Sequence, residues 1–209
     1  MKKLVLLFAM VMAFAVASQA QMSFGAKAGF NMATISGDME DTKMKPGFQI
    51  GGVANFGLSD AFAVQPSLIL SNKGVKIEGE GFTATAGLNY LEVPVNAVYN
   101  VGGFQIYAGP YLGVGLFGKV KFDEDEVDDI TVKFKNDVAP DDVAEDETYF
   151  SMLDFGLNFG IGYKVMDNIQ VQAGYGLGLA NINPKFDGED PEDTDTNSVI
   201  QLTVSYFLQ

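Results

Sequence analysis

Eight stretches of this chain share a row of side chains, taken at every second residue, with 40 positions and no charge, Ser, Thr, Asn or Gln among them. The row begins Phe24, Ala26, Ala28, Phe30 and Phe48, Ile50, Gly52, Ala54, Phe56, and ends Ile200, Leu202, Val204, Tyr206. The stretches are residues 23–31, 47–56, 62–71, 90–99, 105–116, 153–164, 169–178 and 199–206. A repeat of two is the period of a strand and 3.6 that of a helix, so each stretch is extended with one wholly apolar face.

Alternation alone also fits a soluble barrel with its apolar face inside. The opposite face separates the two cases. Of its 41 positions 13 are Gly, and four are charged: Lys27, Glu92, Asp154 and Lys164. An exterior in water would be dense in Lys and Glu, whereas a narrow eight-stranded lumen favours small residues. The apolar row therefore faces lipid.

The connections alternate in length. Residues 57–60, 100–103 and 165–168 are tight, and residues 32–46, 72–89, 117–152 and 179–198 are long. An even number of strands with short turns on one side and long loops on the other is the pattern of an outer-membrane barrel. The expected fold is all-β, an antiparallel up-and-down transmembrane β-barrel of eight strands, with periplasmic turns and extracellular loops. Within the third loop Ile130, Val132 and Phe134 alternate with Thr131, Lys133 and Lys135. That predicts a strand pair above the membrane or a further hairpin giving ten strands.

Aromatic residues bunch at strand ends, as interfacial girdles require. Phe56, Phe62, Tyr99, Phe104, Tyr163, Tyr206 and Phe207 lie near the periplasmic ends, and Phe30, Phe48, Tyr90, Phe117, Tyr149 and Phe150 towards the outer ends. Pro66, Pro94 and Pro110 fall inside strands, where each should mark a bulge or a locally broken ladder.

The first twenty residues read as a signal peptide: Lys2 and Lys3, an apolar run from Leu4 to Ala17, and small residues leading to cleavage before Gln21. The run is too short for a membrane helix. No cysteine follows, which excludes a lipid-anchored lipoprotein. Residues 21–209 are then the barrel domain.

The chain holds 27 acidic and 13 basic residues, all of the latter Lys, for a net charge of −14. Loss of Lys2 and Lys3 takes this to −16, a balance that speaks against nucleic acid or anionic lipid as partners. Eighteen of the 27 acids fall in two loops, 12 from Lys121 to Glu147 and six from Asn181 to Asn197. Asp123, Asp125, Asp128 and Asp129, or Asp193 and Asp195, are oxygen donors suited to a hard cation, but neither run has EF-hand spacing. A solvated anionic surface is the plainer expectation, with loose divalent cations bridging to lipopolysaccharide phosphates. No metal site, cofactor or catalytic residue is expected: the chain has no His or Cys to serve as base or nucleophile.

Glu92 and Asp154 are expected at similar heights on the fourth and sixth strands, with Lys27 across the lumen. A Lys27–Glu92–Asp154 cluster that plugs the barrel is the predicted site. Two functions remain open. One is a non-enzymatic envelope-structural or surface-contact barrel, expected as a monomer; the other is a small pore for a cationic or neutral solute, which the lumen glycines would favour.

Tyr90-Leu91-Glu92-Val93-Pro94-Val95 with Tyr99 and Asn100, Tyr107-Ala108-Gly109-Pro110-Tyr111-Leu112-Gly113, Gly160-Ile161-Gly162-Tyr163 and Tyr175-Gly176-Leu177-Gly178-Leu179-Ala180-Asn181-Ile182 resemble a family common in Bacteroidota. These are the outer-membrane β-barrel domain proteins, which include PorT-like and OmpA-like chains. The last strand, ending Ser205-Tyr206-Phe207, is similar to the aromatic terminus that barrel-assembly machinery uses, with Leu208 and Gln209 added after it. The resemblance implies the fold and the outer membrane, and no substrate.

Overall fold

The computed structural model describes residues 22–39, 41–79, 82–124 and 127–208; the expected signal segment 1–20 lies outside them. Among the described residues eight long strands form the barrel: β1 (Met22–Gly37), β2 (Lys45–Gly57), β3 (Phe62–Gly79), β4 (Phe82–Val101), β5 (Phe104–Phe122), β6 (Leu153–Met166), β7 (Ile169–Gly178) and β8 (Asp195–Phe207). Each pairs antiparallel with the next, and β8 returns to pair with β1 from Gly25↔Phe207 to Gly37↔Asp195. Closure leaves no open edge in the hydrocarbon, where an unpaired backbone group costs several kcal/mol, on the order of a lost hydrogen bond in an apolar solvent.

The apolar row points outward as expected. Phe24, Phe30, Phe48, Ile50, Leu112, Phe155, Phe159, Ile161, Leu202 and Val204 are all exposed on the barrel exterior. Phe62 packs on Tyr99 with ring centroids 4.8 Å apart, and Phe104 on Tyr163 at 4.9 Å, which builds the periplasmic girdle. The β4–β5 turn is Gly102-Gly103 with φ of 55° and 92°, the left-handed backbone that a two-residue hairpin demands. Around the three prolines the ladders are interrupted, between Val53↔Ser67 and Phe56↔Val64, between Pro66↔Val95 and Ile69↔Glu92, and between Pro94↔Tyr111 and Ala97↔Ala108. Register is unchanged across each gap, so the prolines break bonds locally and insert no residue.

Two expectations change. Most of the residues assigned to the first two outer loops belong to strands. β3 and β4 stay paired up to Gly79↔Phe82, so residues 72–79 and 82–89 form two paired arms standing above the lipid. Tyr90 and Phe150, expected in the outer aromatic girdle, are buried inside. Both changes have one cause. Above the belt the exterior meets water, and the two faces exchange character. On β3 the outward row Phe62 to Leu70 gives way to Asn72, Lys76 and Glu78, while inward Gln65, Ser67 and Ser71 give way to Val75 and Ile77. On β1 outward Met32 is followed by Thr34 and Ser36, and inward Asn31 by Ala33 and Ile35.

Among its described residues the third loop adds no transmembrane strand. Ile130–Phe134 pairs antiparallel with the outer end of β5 and parallel with Glu147–Phe150, extending the sheet above the membrane. Ile35, Val75, Ala86, Leu88, Tyr90, Val132, Phe150 and Ile182 form one buried apolar cluster there. The strands that carry the barrel thus end in a small apolar core outside the bilayer.

Candidate functional site in the upper lumen

Directly beneath that apolar core the lumen concentrates charge among the described residues. Glu92 on β4 and Asp154 on β6 both register with Gly113 of β5, so they flank it in one row. Gly113 has no side chain to separate them; a Cβ there would stand 3.5 Å from Glu92 Cγ and from Asp154 Cβ. The cation between them is Lys73, not Lys27. Lys73 Nζ pairs with Glu92 and lies 2.9 Å from Asp154 Oδ2. The three residues are 3%, 7% and 0% exposed for Lys73, Glu92 and Asp154.

Uncharged groups complete the cluster. Tyr111 donates its hydroxyl to Asp154 Oδ1 at 3.2 Å, and Asn197 donates to Asp154 Oδ2 at 3.1 Å. The Lys73 ammonium sits 4.4 Å from the Tyr111 ring centroid and 5.5 Å from that of Tyr90. Buried charges persist where each is paired and hydrogen-bonded, and removing one partner costs about 3–5 kcal/mol.

The structure brings Glu92 and Asp154 together around Lys73, which the sequence pattern left out because its β3 stretch ended at residue 71, two residues short. Lys27 is elsewhere. It is buried lower in the barrel and donates to Gln172 Oε1 at 3.0 Å. A chain of amides separates the two lysines: Gln201 donates to Asn158, Gln49 to Gln201 and to Asn31, and Asn31 to Ser71.

The lumen glycines leave space, but rings fill it. A Cβ at Gly160 or Gly174 would strike the Tyr107 hydroxyl, one at Gly156 the Tyr111 ring, and one at Gly115 the Phe134 ring. At these four positions aromatic side chains occupy the space that the glycines leave. A pocket of about 160 Å³ does open at the periplasmic mouth, lined by Ser23, Asn55, Lys164, Gln170 and Phe207 among others.

The candidate cation ligands are also dispersed. Asp129 pairs with Lys119 at 2.7 Å, and Asp195 is buried, accepting from the Met39 amide and from Asn183. Asp125 lies outside the described residues. Among the described residues no three acidic side chains gather around a common point. On the outer ribbon Asp142 is held below the usual carboxylate value by a hydrogen bond from Lys135 and by its charge. Glu147 is lowered by its hydrogen bond from Tyr149 and by Lys133.

The family comparison agrees with the architecture. A family profile described as "Outer membrane protein beta-barrel domain" matches residues 17–183. No curated protein sequence matches the chain. Among solved structures, Neisserial surface protein A is 13% identical, with 88% of this chain and 96% of that one covered and a TM-score of 0.47. Ail, the attachment invasion locus protein of Yersinia pestis, is 14% identical over 89% and 98% of the two chains, with a TM-score of 0.47. OprG of Pseudomonas aeruginosa is 18% identical over 90% and 94%, with a TM-score of 0.39.

Proposed function

The chain belongs to the outer membrane protein β-barrel domain family, and from that premise we propose that it is a sealed, non-enzymatic barrel whose working surface is the acidic cap it raises outside the cell. Its role is envelope-structural or surface contact. The observation that carries this reading is the stacking of the upper lumen: the Lys73–Glu92–Asp154 cluster, roofed by the apolar core around Leu88 and Ile182. A solute path would have to cross both layers, stripping an ion of water and breaking a buried ion pair.

The finer attributions rest on the sequence motifs. The Tyr90–Val95 and Tyr107–Gly113 segments support kinship with PorT-like chains of Bacteroidota. Tyr206 and Phe207 support delivery by barrel-assembly machinery, and the solvated acids support loose binding of divalent cations. A closed ring of strands supports a monomer. The absence of His and Cys from the sequence supports a role without catalysis.

Planar bilayers test the sealed lumen. Purified wild-type barrel should give no steady current, and Lys73→Met combined with Leu88→Ala should give flickering conductance as the plug loosens. Steady single-channel current from the wild type would replace this reading with the pore.

A further inference from the structure

The lower lumen holds a buried cation that no neighbouring acid balances. Lys27 is 7% exposed and donates one hydrogen bond, to Gln172 Oε1 at 3.0 Å. An ammonium has three N–H groups to give, and among the described residues Lys27 forms no ion pair. The inward acids of the belt, Glu92 and Asp154, are both committed to Lys73 in the upper lumen.

Register shows how Lys27 is enclosed. A row of paired residues climbs round the wall from Lys164 through Gln170 and Ser205 to Lys27, and on through Gly51 and Ile69 to Glu92. Tilted strands carry each row upward as it passes from one strand to the next. Glu92 therefore stands three strands on and well above Lys27, beyond the amides of Asn31, Gln49, Gln201 and Asn158. Below Lys27, Gln65 and Gln170 exchange side-chain hydrogen bonds across the lumen at 3.2 and 3.3 Å. Gln170 also lines the pocket at the periplasmic mouth, with Lys164 and Asp167. Lys27 thus lies between two amide layers, and the lower one, a neutral pair of rotatable side chains, separates it from the periplasm.

At this level Gln172 Nε2 is buried and has no acceptor among the described residues. It belongs to the amide whose oxygen holds Lys27, so two kinds of donor stand side by side with hydrogen bonds to give. Asn96 Oδ1 and Gln105 Oε1 are buried and unpaired as well, but they are neutral acceptors and cannot balance an ammonium. Buried charges persist where a counter-charge pairs with them.

We propose that a small monovalent anion of the halide class binds beside Lys27 Nζ and Gln172 Nε2, reaching them from the periplasmic mouth past Gln65 and Gln170. The same charge turns cations away at that level. The site lies below the Lys73 cluster, so a conducting barrel would leave it standing.

The test titrates the full barrel, in zwitterionic dodecylphosphocholine micelles at pH 7, with sodium chloride, ionic strength being held constant with sodium gluconate. Chlorine-35 NMR linewidth should show an excess broadening that saturates and that bromide displaces. Lys27→Met should abolish the saturable part, Gln172→Leu should weaken it severalfold, and Lys164→Gln should keep it. Crystals soaked in bromide should show an anomalous peak between Lys27 and Gln172. No saturable broadening in the wild type, equal broadening in Lys27→Met or Gln172→Leu, or bromide at exposed lysines alone, an adventitious ion only, would overturn the proposal. Heat-modifiable electrophoretic mobility verifies that each variant is folded.

Discussion

The belt and the cap are made by the same strands, yet they solve opposite solvent problems. Within the belt β3 turns Leu68 and Leu70 to lipid and Gln65 and Ser67 to the lumen; within the cap it turns Lys76 and Glu78 to water and Val75 to a dry core. The backbone alternation never changes. What changes is the medium outside, and the sequence reverses its two faces within a few residues to match. The cap is therefore folded like a soluble β-protein, held by apolar burial, whereas the belt is held by closed ladders and a polar interior.

That contrast can be broken at several points, and the largest effect belongs to the cluster at the junction. Lys73→Met should destabilise the folded barrel by about 3–5 kcal/mol, since two buried carboxylates lose their cation. Lys27→Met should change stability little, because among the described residues Lys27 meets one amide and no acid. Denaturant-induced unfolding in vesicles measures both, and equal losses would place the important cation wrongly. Next, Leu157→Lys, midway along the lipid-facing row of β6, should cost about 2–4 kcal/mol, the cost of a cation near mid-membrane. Thr85→Lys, outward in the cap, should be close to neutral.

Leu88→Ala should cost about 2–4 kcal/mol, a typical core truncation, and its signature is local. Hydrogen exchange should quicken in residues 75–89 and 117–122, while belt amides stay protected; uniform quickening would mean that cap and belt share one core. The smallest effect is on pH. Asp142 is exposed and Glu147 half-buried, and their folded values are depressed below the ordinary 3.8 and 4.5. Their contribution is thus present above those values and lost as pH falls through the lower folded ones. Exchange in residues 130–150 should rise modestly below about pH 4, with the belt unaffected.

The belt was legible in the sequence because lipid tolerates no polar side chain over eight strands, so one clean row at period two identifies it. The cap was not, because its apolar row, Val75, Ile77, Ala84, Ala86 and Leu88, lies on the opposite parity, and a reader following the lipid-facing row sees the pattern stop. A bulge where Asn89↔Phe117 is followed by Tyr90↔Gly115 hid the continuity further. The cluster was half legible for the same reason: Glu92 and Asp154 lie in the belt, and Lys73 lies two residues past the apparent end of its strand.

Since the sequence has no cysteine, single cysteines along β3 offer the most direct measurement of this reversal. Spin labels at 68, 70, 75, 76, 77 and 78 would be read for collisions with oxygen, which partitions into lipid, and with a water-soluble nickel chelate. Positions 68 and 70 should respond to oxygen and 76 and 78 to nickel, while 75 and 77 should be shielded from both. Nickel access at 75 and 77 equal to that at 76 and 78 would show a flexible loop in place of a folded cap, and would contradict the account.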